Sequence, residues 1–213
     1  MKIRIVMKYP KMEWGTMEAV VNKLGGMDGV QRFLSGEIIV KAATLSGFKV
    51  WRTIKLGTGL RTADDFRRAL KKSNCGIDDR ANDILGKSAF TASEIGVDAN
   101  LVVVSASKLG LKKEAPRADI YARAVELGLS RCPAEVGPQL CRQYTDQPRN
   151  ERLVIGMEPI ADSFGALRLF CVNRYSDGTQ WLRAGYDVTH SVGDDDGFVF
   201  LAPASSSRTP GLL

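Results

Sequence analysis

The sequence predicts an α+β fold: short helices with N-terminal strands, followed by a C-terminal antiparallel β-meander. Three observations carry this expectation. The middle of the chain shows apolar positions at helical spacing behind capped starts. The last third shows four strand-like runs joined by short connections of turn residues, which favour antiparallel neighbours. The 213 residues are 44% hydrophobic and 25% charged, an ordinary globular balance with enough apolar side chains to bury a core.

At the N-terminus, Ile3, Ile5 and Met7 alternate against Lys2, Arg4, Val6 and Lys8, the pattern of a half-buried strand. Thr16 is placed to cap a short helix over Met17–Leu24, stopped by Gly25-Gly26; a second runs from Met27 to Ser35 and ends at Gly36. Strands are expected over Glu37–Lys41 and Phe48–Lys55. In the latter, Phe48, Val50, Arg52 and Ile54 form a mainly apolar face, opposite Lys49, Trp51, Thr53 and Lys55. Thr62-Ala63-Asp64-Asp65 reads as a capping box, with Phe66, Ala69 and Leu70 on one face and Lys71-Lys72 at the end the macrodipole favours. Asp78–Leu85, closed by Gly86, and Arg117–Leu127, stopped by Gly128, are further helices, and Asn100–Ser105 is a buried strand. The four late strands are Leu153–Ile160, Leu167–Arg174, Thr179–Tyr186 and Gly197–Ala202, with turns at Asp162–Gly165 and Ser176–Gly178.

Residues 1–203 are expected to form one α+β domain with a sub-boundary near residues 114–133, and the polar tail 204–213 is expected to be disordered. The net charge of +6 is uneven: residues 1–60 carry +6, 61–130 carry +2 and 131–213 carry −2. No Lys follows Lys113, so every later cation is Arg. No apolar run reaches the 18 residues of a membrane span, and the charged N-terminus lacks the apolar core of a signal peptide, so a cytoplasmic protein is expected. Cys75, Cys132, Cys141 and Cys171 show no paired spacing and His190 stands alone. The expectation is therefore four buried reduced thiols, no metal site and no cofactor.

Several constellations bear on function. The Gly25-Gly26 hairpin has the outline of a helix-turn-helix, but only Gln31 and Arg32 suit base edges, and Asp28 opposes phosphate. The strand with Lys49, Trp51, Arg52 and Lys55 could hold phosphates on its cations while a base stacks on Trp51. The plainer reading is an amphipathic strand with Trp51 under a helix and lysines blunting an edge. Leu56–Thr62 has two glycines before a capped helix, yet lacks the Gly-Lys-Ser/Thr ending of a P-loop. Glu135, Arg142, Tyr144 and Glu158 form a candidate polar cluster, in which two carboxylates could act as acid and base; a salt-bridged junction is the plainer reading. Asp194-Asp195-Asp196 lacks the downstream Glu of a calcium loop.

The blocks Lys55–Leu60 running into Thr62–Arg67, then Ala81–Lys87, Cys132–Leu140 and Met157–Ile160, resemble an uncharacterised family of small bacterial proteins from environmental genomes. The resemblance spans roughly residues 15–175 and implies a bacterial origin, with no activity to transfer. The leading functional expectation is a non-enzymatic cytoplasmic binding module contacting nucleic acid or an acidic partner through its basic N-terminal part. The alternatives are a small hydrolase or transferase using the Glu/Arg/Tyr cluster, and an interaction component of a mobile-element-encoded system.

Overall fold

A computed structural model describes residues 14–38, 48–112, 115–186 and 197–203. The expected strand at Ile3–Met7, His190, Asp194–Asp196 and the tail from Ala204 lie outside the described residues. So do positions 39–41 of the strand expected at Glu37–Lys41, whose first two residues form a bend. The chain divides into two compact units, residues 1–43 and 44–213.

The first unit is a helical hairpin of α1 (Trp14–Lys23) and α2 (Gly26–Leu34). Gly25 sits at φ 90°, in the left-handed region that favours glycine, and reverses the chain. Gly29 is required by close approach: a Cβ there would collide with the Leu24 carbonyl oxygen. Of the two candidate base readers on α2, Arg32 is paired with Glu37 at 2.9 Å.

The second unit is built on a mixed eight-stranded sheet. Its strands are β1 (Arg52–Leu56), β2 (Cys75–Ile77), β3 (Val97–Val104), β4 (Arg152–Ile155), β5 (Ile160–Ala161), β6 (Leu167–Arg174), β7 (Gln180–Tyr186) and β8 (Gly197–Leu201). They lie in the order β1-β3-β8-β4-β6-β7-β2, with β5 paired to β6. The helices are α3 (Ala63–Lys72), α4 (Asp79–Leu85), α5 (Arg117–Glu126) and α6 (Val136–Gln143). Thr62 caps α3 in the expected box: its hydroxyl accepts from Asp65 N, and Asp65 accepts from Thr62 N.

The α+β class holds, but the meander is only partial. β4, β6 and β7 are successive antiparallel neighbours, whereas β8 leaves the run and inserts between β3 and β4, antiparallel to the first and parallel to the second. The reason is in its sequence. Phe198, Val199 and Phe200 are all fully buried, so β8 needs cover on both faces and cannot serve as an edge. Because β3 and β4 both border β8, the region near residues 114–133 separates strands of one sheet.

Cross-strand partners share a face. Ile54, Ala99, Leu101, Phe170, Val172 and Leu182 face α6 and α3, with α6 in contact with β1, β6 and β7. On the opposite face α5 covers the middle: Tyr121 packs edge-on against Phe198 and Phe200 and donates to the Ile155 carbonyl.

The cysteine expectation is corrected. Cys75 on β2 and Cys141 on α6 are disulfide-bonded across 66 residues of chain, while Cys132 and Cys171 are buried and free. Sequence spacing could not reveal the pair, because the fold, not a local motif, sets β2 against α6. Burial pushes the Cys132 thiol far above its ordinary range.

Candidate functional site

β1 starts at Arg52, so Lys49 and Trp51 precede the strand rather than lying within it. Thr53 and Lys55 point to an exposed face beside Asn100 and Asp98, and Lys55 Nζ pairs with Asp98 at 2.9 Å. Trp51 does not join them. Its ring meets Tyr144 edge-on, with centroids 4.9 Å apart, and the Arg52 guanidinium lies 4.3 Å from the Tyr144 ring and 5.4 Å from that of Trp51. Arg52 Nη2 also reaches both Asp146 oxygens, at 2.8 and 2.9 Å. Of the four residues expected to contact nucleic acid, Lys49 and Lys55 are thus exposed, Trp51 and Arg52 belong to a packed cation–π stack, and two of the three cations carry a carboxylate partner.

The second expected cluster separates into three places. Glu135 is buried; its Oε1 accepts from Gly57 N and Gln139 Nε2, and its Oε2 from Ser93 N, all at 2.8–2.9 Å. Arg142 donates to Gln139 at 2.7 Å, and burial lowers its pKa. Tyr144 belongs to the Trp51 stack; burial first and the neighbouring Glu151 next push its hydroxyl up. Glu158 is an exposed carboxylate paired with Arg131.

The geometry instead gives Glu135 and its neighbours a backbone task. β1 is an edge strand, and its outward-facing amides would otherwise be open to another chain. Gln143 fills one position in both directions, accepting from Lys55 N at 2.9 Å and donating to Lys55 O at 2.8 Å. Glu135 accepts from Gly57 N two residues on. Helix α6 thus occupies the place of a missing strand. Beyond its N-terminal end lies a cavity of about 580 Å³, walled by Leu56, Val97, Ala99, Pro133 and Leu201 and open to solvent.

A different constellation gathers cations. Past Ile77, β2 ends and the chain turns into α4, so among the described residues no strand pairs with the Arg183–Gly185 stretch of β7 on that side. Here a cleft of about 200 Å³ is lined by Arg80 of α4, Arg152 of β4 and Arg183 of β7, with Asn173, Cys171 and Gly185 completing its wall. Arg152 lies opposite Asn173 in the ladder, which puts both on the sheet face that Arg183 shares. Arg183 spends two of its five N–H donors, on Asp78 Oδ2 at 3.1 Å and Tyr175 Oη at 2.7 Å. The Asp78 hydrogen bond raises its pKa, so it is a fixed cation. Asn173 Oδ1 is buried and has no hydrogen-bond partner among the described residues. Arginines from α4, β4 and β7 thus bring planar N–H forks to the lining of one small volume. That arrangement suits a phosphate or carboxylate.

Reading along the sequence missed this site because its residues come from three segments, each unremarkable alone. The one available signal, the exclusive use of Arg after Lys113, covers Arg152 and Arg183 but not Arg80. Only the strand register converts that preference into a cluster. Among the described residues no group of three or more His, Cys, Asp or Glu side chains is placed to hold a metal ion, and no helix is long and apolar enough to cross a membrane. No family model matches the chain, and neither does any curated protein or solved structure.

Proposed function

We propose that the protein is a binding module that takes up an anionic group in the cleft formed by Arg80, Arg152 and Arg183. The observation that carries this reading is that arginines from three separate elements line one cleft of about 200 Å³. The reading keeps the expected acidic partner but moves its seat from the Lys49–Lys55 strand, where Arg52 and Lys55 already hold Asp146 and Asp98, to the β4–β6–β7 face.

An acid–base enzyme built on Glu135 and Glu158 has less support. Three donors occupy the first carboxylate, and the second pairs with Arg131 at the surface. The compartment is part of the same proposal. The Cys75–Cys141 bond is of the kind that persists in oxidising surroundings, which weighs against the cytoplasm.

The test is calorimetric titration of the whole protein with inorganic phosphate at constant ionic strength, beside Arg152→Gln and Arg80→Gln. Both positions are exposed, so the substitutions spare the core. The expected result is saturable binding that weakens at least tenfold in either variant and falls as salt rises. Equal heats from wild type and both variants would overturn the reading.

A further inference from the structure

We infer that the cavity beyond the N-terminal end of α6 binds the ammonium of a small aliphatic amine, with the carboxylate of Glu135 as its counter-charge. This site shares no lining residue with the arginine cleft and does not depend on an anion binding there. At about 580 Å³ the cavity is of the size that holds a small organic molecule. It opens where β1 ends at Leu56, β3 begins at Val97 and β8 ends at Leu201, and Pro133 and Glu135 reach it from the approach to α6.

The charge on its walls has one sign. Asp98 and Glu135 line it, and among the described residues no Lys, Arg or His does. Asp98 is paired with Lys55, and both side chains are well exposed, so water screens that pair. Glu135 differs. It is 1% exposed, and its partners among the described residues are all neutral: the Gly57 and Ser93 amides and the Gln139 side chain. It accepts three hydrogen bonds and donates none, the pattern of a carboxylate rather than of a carboxylic acid. A buried charge without an ion-pair partner acts strongly on whatever enters beside it, because little water lies between. A cation is therefore drawn into this cavity, and an anion is not.

The rest of the wall narrows the kind of cation. A carboxylate offers about four acceptor sites; on Glu135, Oε1 takes two donors and Oε2 takes one, which leaves a single site on Oε2. A guanidinium fork needs two parallel acceptors, whereas an ammonium is a point charge that one acceptor can serve. A quaternary ammonium has no N–H and is held by aromatic faces, and no aromatic residue lines the cavity among the described residues. A primary ammonium meets both conditions. Its body is aliphatic, since Leu56, Val97, Pro133 and Leu201 give an apolar wall with no aromatic ring to stack on. Val97 is 46% exposed, so an alkyl chain laid against it removes apolar surface from water. A free alkylamine and the lysyl side chain of a peptide share this chemistry.

The experiment is calorimetric titration of the full chain with n-octylamine, n-hexylamine, n-octanol and Nα-acetyl-lysine amide at constant ionic strength, using wild type, Glu135→Gln and Val97→Lys. Glu135→Gln removes the charge and keeps one acceptor oxygen. Val97→Lys brings a like charge to the cavity from an exposed position, so it decides the matter even where the first variant fails to fold; thermal unfolding verifies folding. n-Octylamine is expected to bind at least tenfold more tightly than n-octanol. It should also exceed n-hexylamine by on the order of tenfold, at about fourfold for each of the two added methylenes. Each folded variant should weaken n-octylamine at least tenfold. Lysine amide binding tighter than n-hexylamine assigns the ammonium to a lysyl side chain, and equal or weaker binding assigns it to a free amine; either outcome supports the site. n-Octanol within twofold of n-octylamine, n-octylamine binding unchanged in Val97→Lys, or absence of binding by every amine overturns the inference. None of these results bears on the arginine cleft, which the phosphate titration tests by itself.

Discussion

Asp83 shows how one side chain fixes a loop and records it in a titration. Its carboxylate takes the backbone and hydroxyl of Ser163, and then Lys87, and these hydrogen bonds hold its pKa at about 2, below the ordinary 3.8. Asp65, taking Thr62 and Arg61 donors at the start of α3, is likewise held at about 2. A carboxyl whose pKa is lower in the folded state stabilises the fold fully above its unfolded value, and that contribution disappears as pH falls through the folded value. The window is therefore from about pH 4 down to about pH 2. The expected outcome is that the melting temperature of Asp83→Asn lies below wild type at pH 6 and converges on it toward pH 2. A gap that stays constant across this range would show that Asp83 does not titrate as the hydrogen bonds require. The capping role of Asp65 was visible in the order Thr62-Ala63-Asp64-Asp65, because the box is local. The role of Asp83 was not, since its partner Ser163 lies 80 residues away.

At the level of elements, α6 acts as a surrogate strand for β1. Gly57 and Ser93 amides depend on Glu135, and both would lose an acceptor in Glu135→Ala. At roughly 1–3 kcal/mol for each donor left unsatisfied, the expected destabilisation is about 2–6 kcal/mol, and toward the lower end because both amides are only part-buried, read by urea unfolding. Glu135→Gln keeps one acceptor oxygen and should lose less. Equal stability of Glu135→Ala and wild type would contradict the edge-covering role. The helices α3, α4 and α5 and the strands β6 and β7 were legible because periodicity, caps and turn residues mark them within a dozen residues. Polarity in α6 suggested chemistry instead, since Gln139, Arg142 and Gln143 on one short helix resemble a pocket wall. The competing use, pairing with a strand edge, depends on a neighbour 88 residues away. β2 was missed because three residues, Cys75-Gly76-Ile77, carry no period of their own.

For the molecule as a whole, the disulfide links the outermost strand on one side of the sheet to the helix that covers the other side. Closing 66 residues of chain gives, on the chain-entropy model, roughly 4 kcal/mol. Reduction by a dithiol should lower the melting temperature substantially, and thiol counting on the unfolded chain should rise from two to four. A count of four without reductant would remove the bond, and unchanged melting after reduction would show that β2 and α6 hold without it.

The placement of β8 has a consequence for synthesis. Leu153–Ile155 and Leu101–Val104 both pair with a strand that is translated after either of them. While the chain is still emerging from the ribosome, the sheet therefore consists of two open halves with bare inner edges, and neither can close. Closure waits for Gly197–Leu201 to arrive, so the interval between residue 155 and residue 201 is when the nascent chain most needs a chaperone.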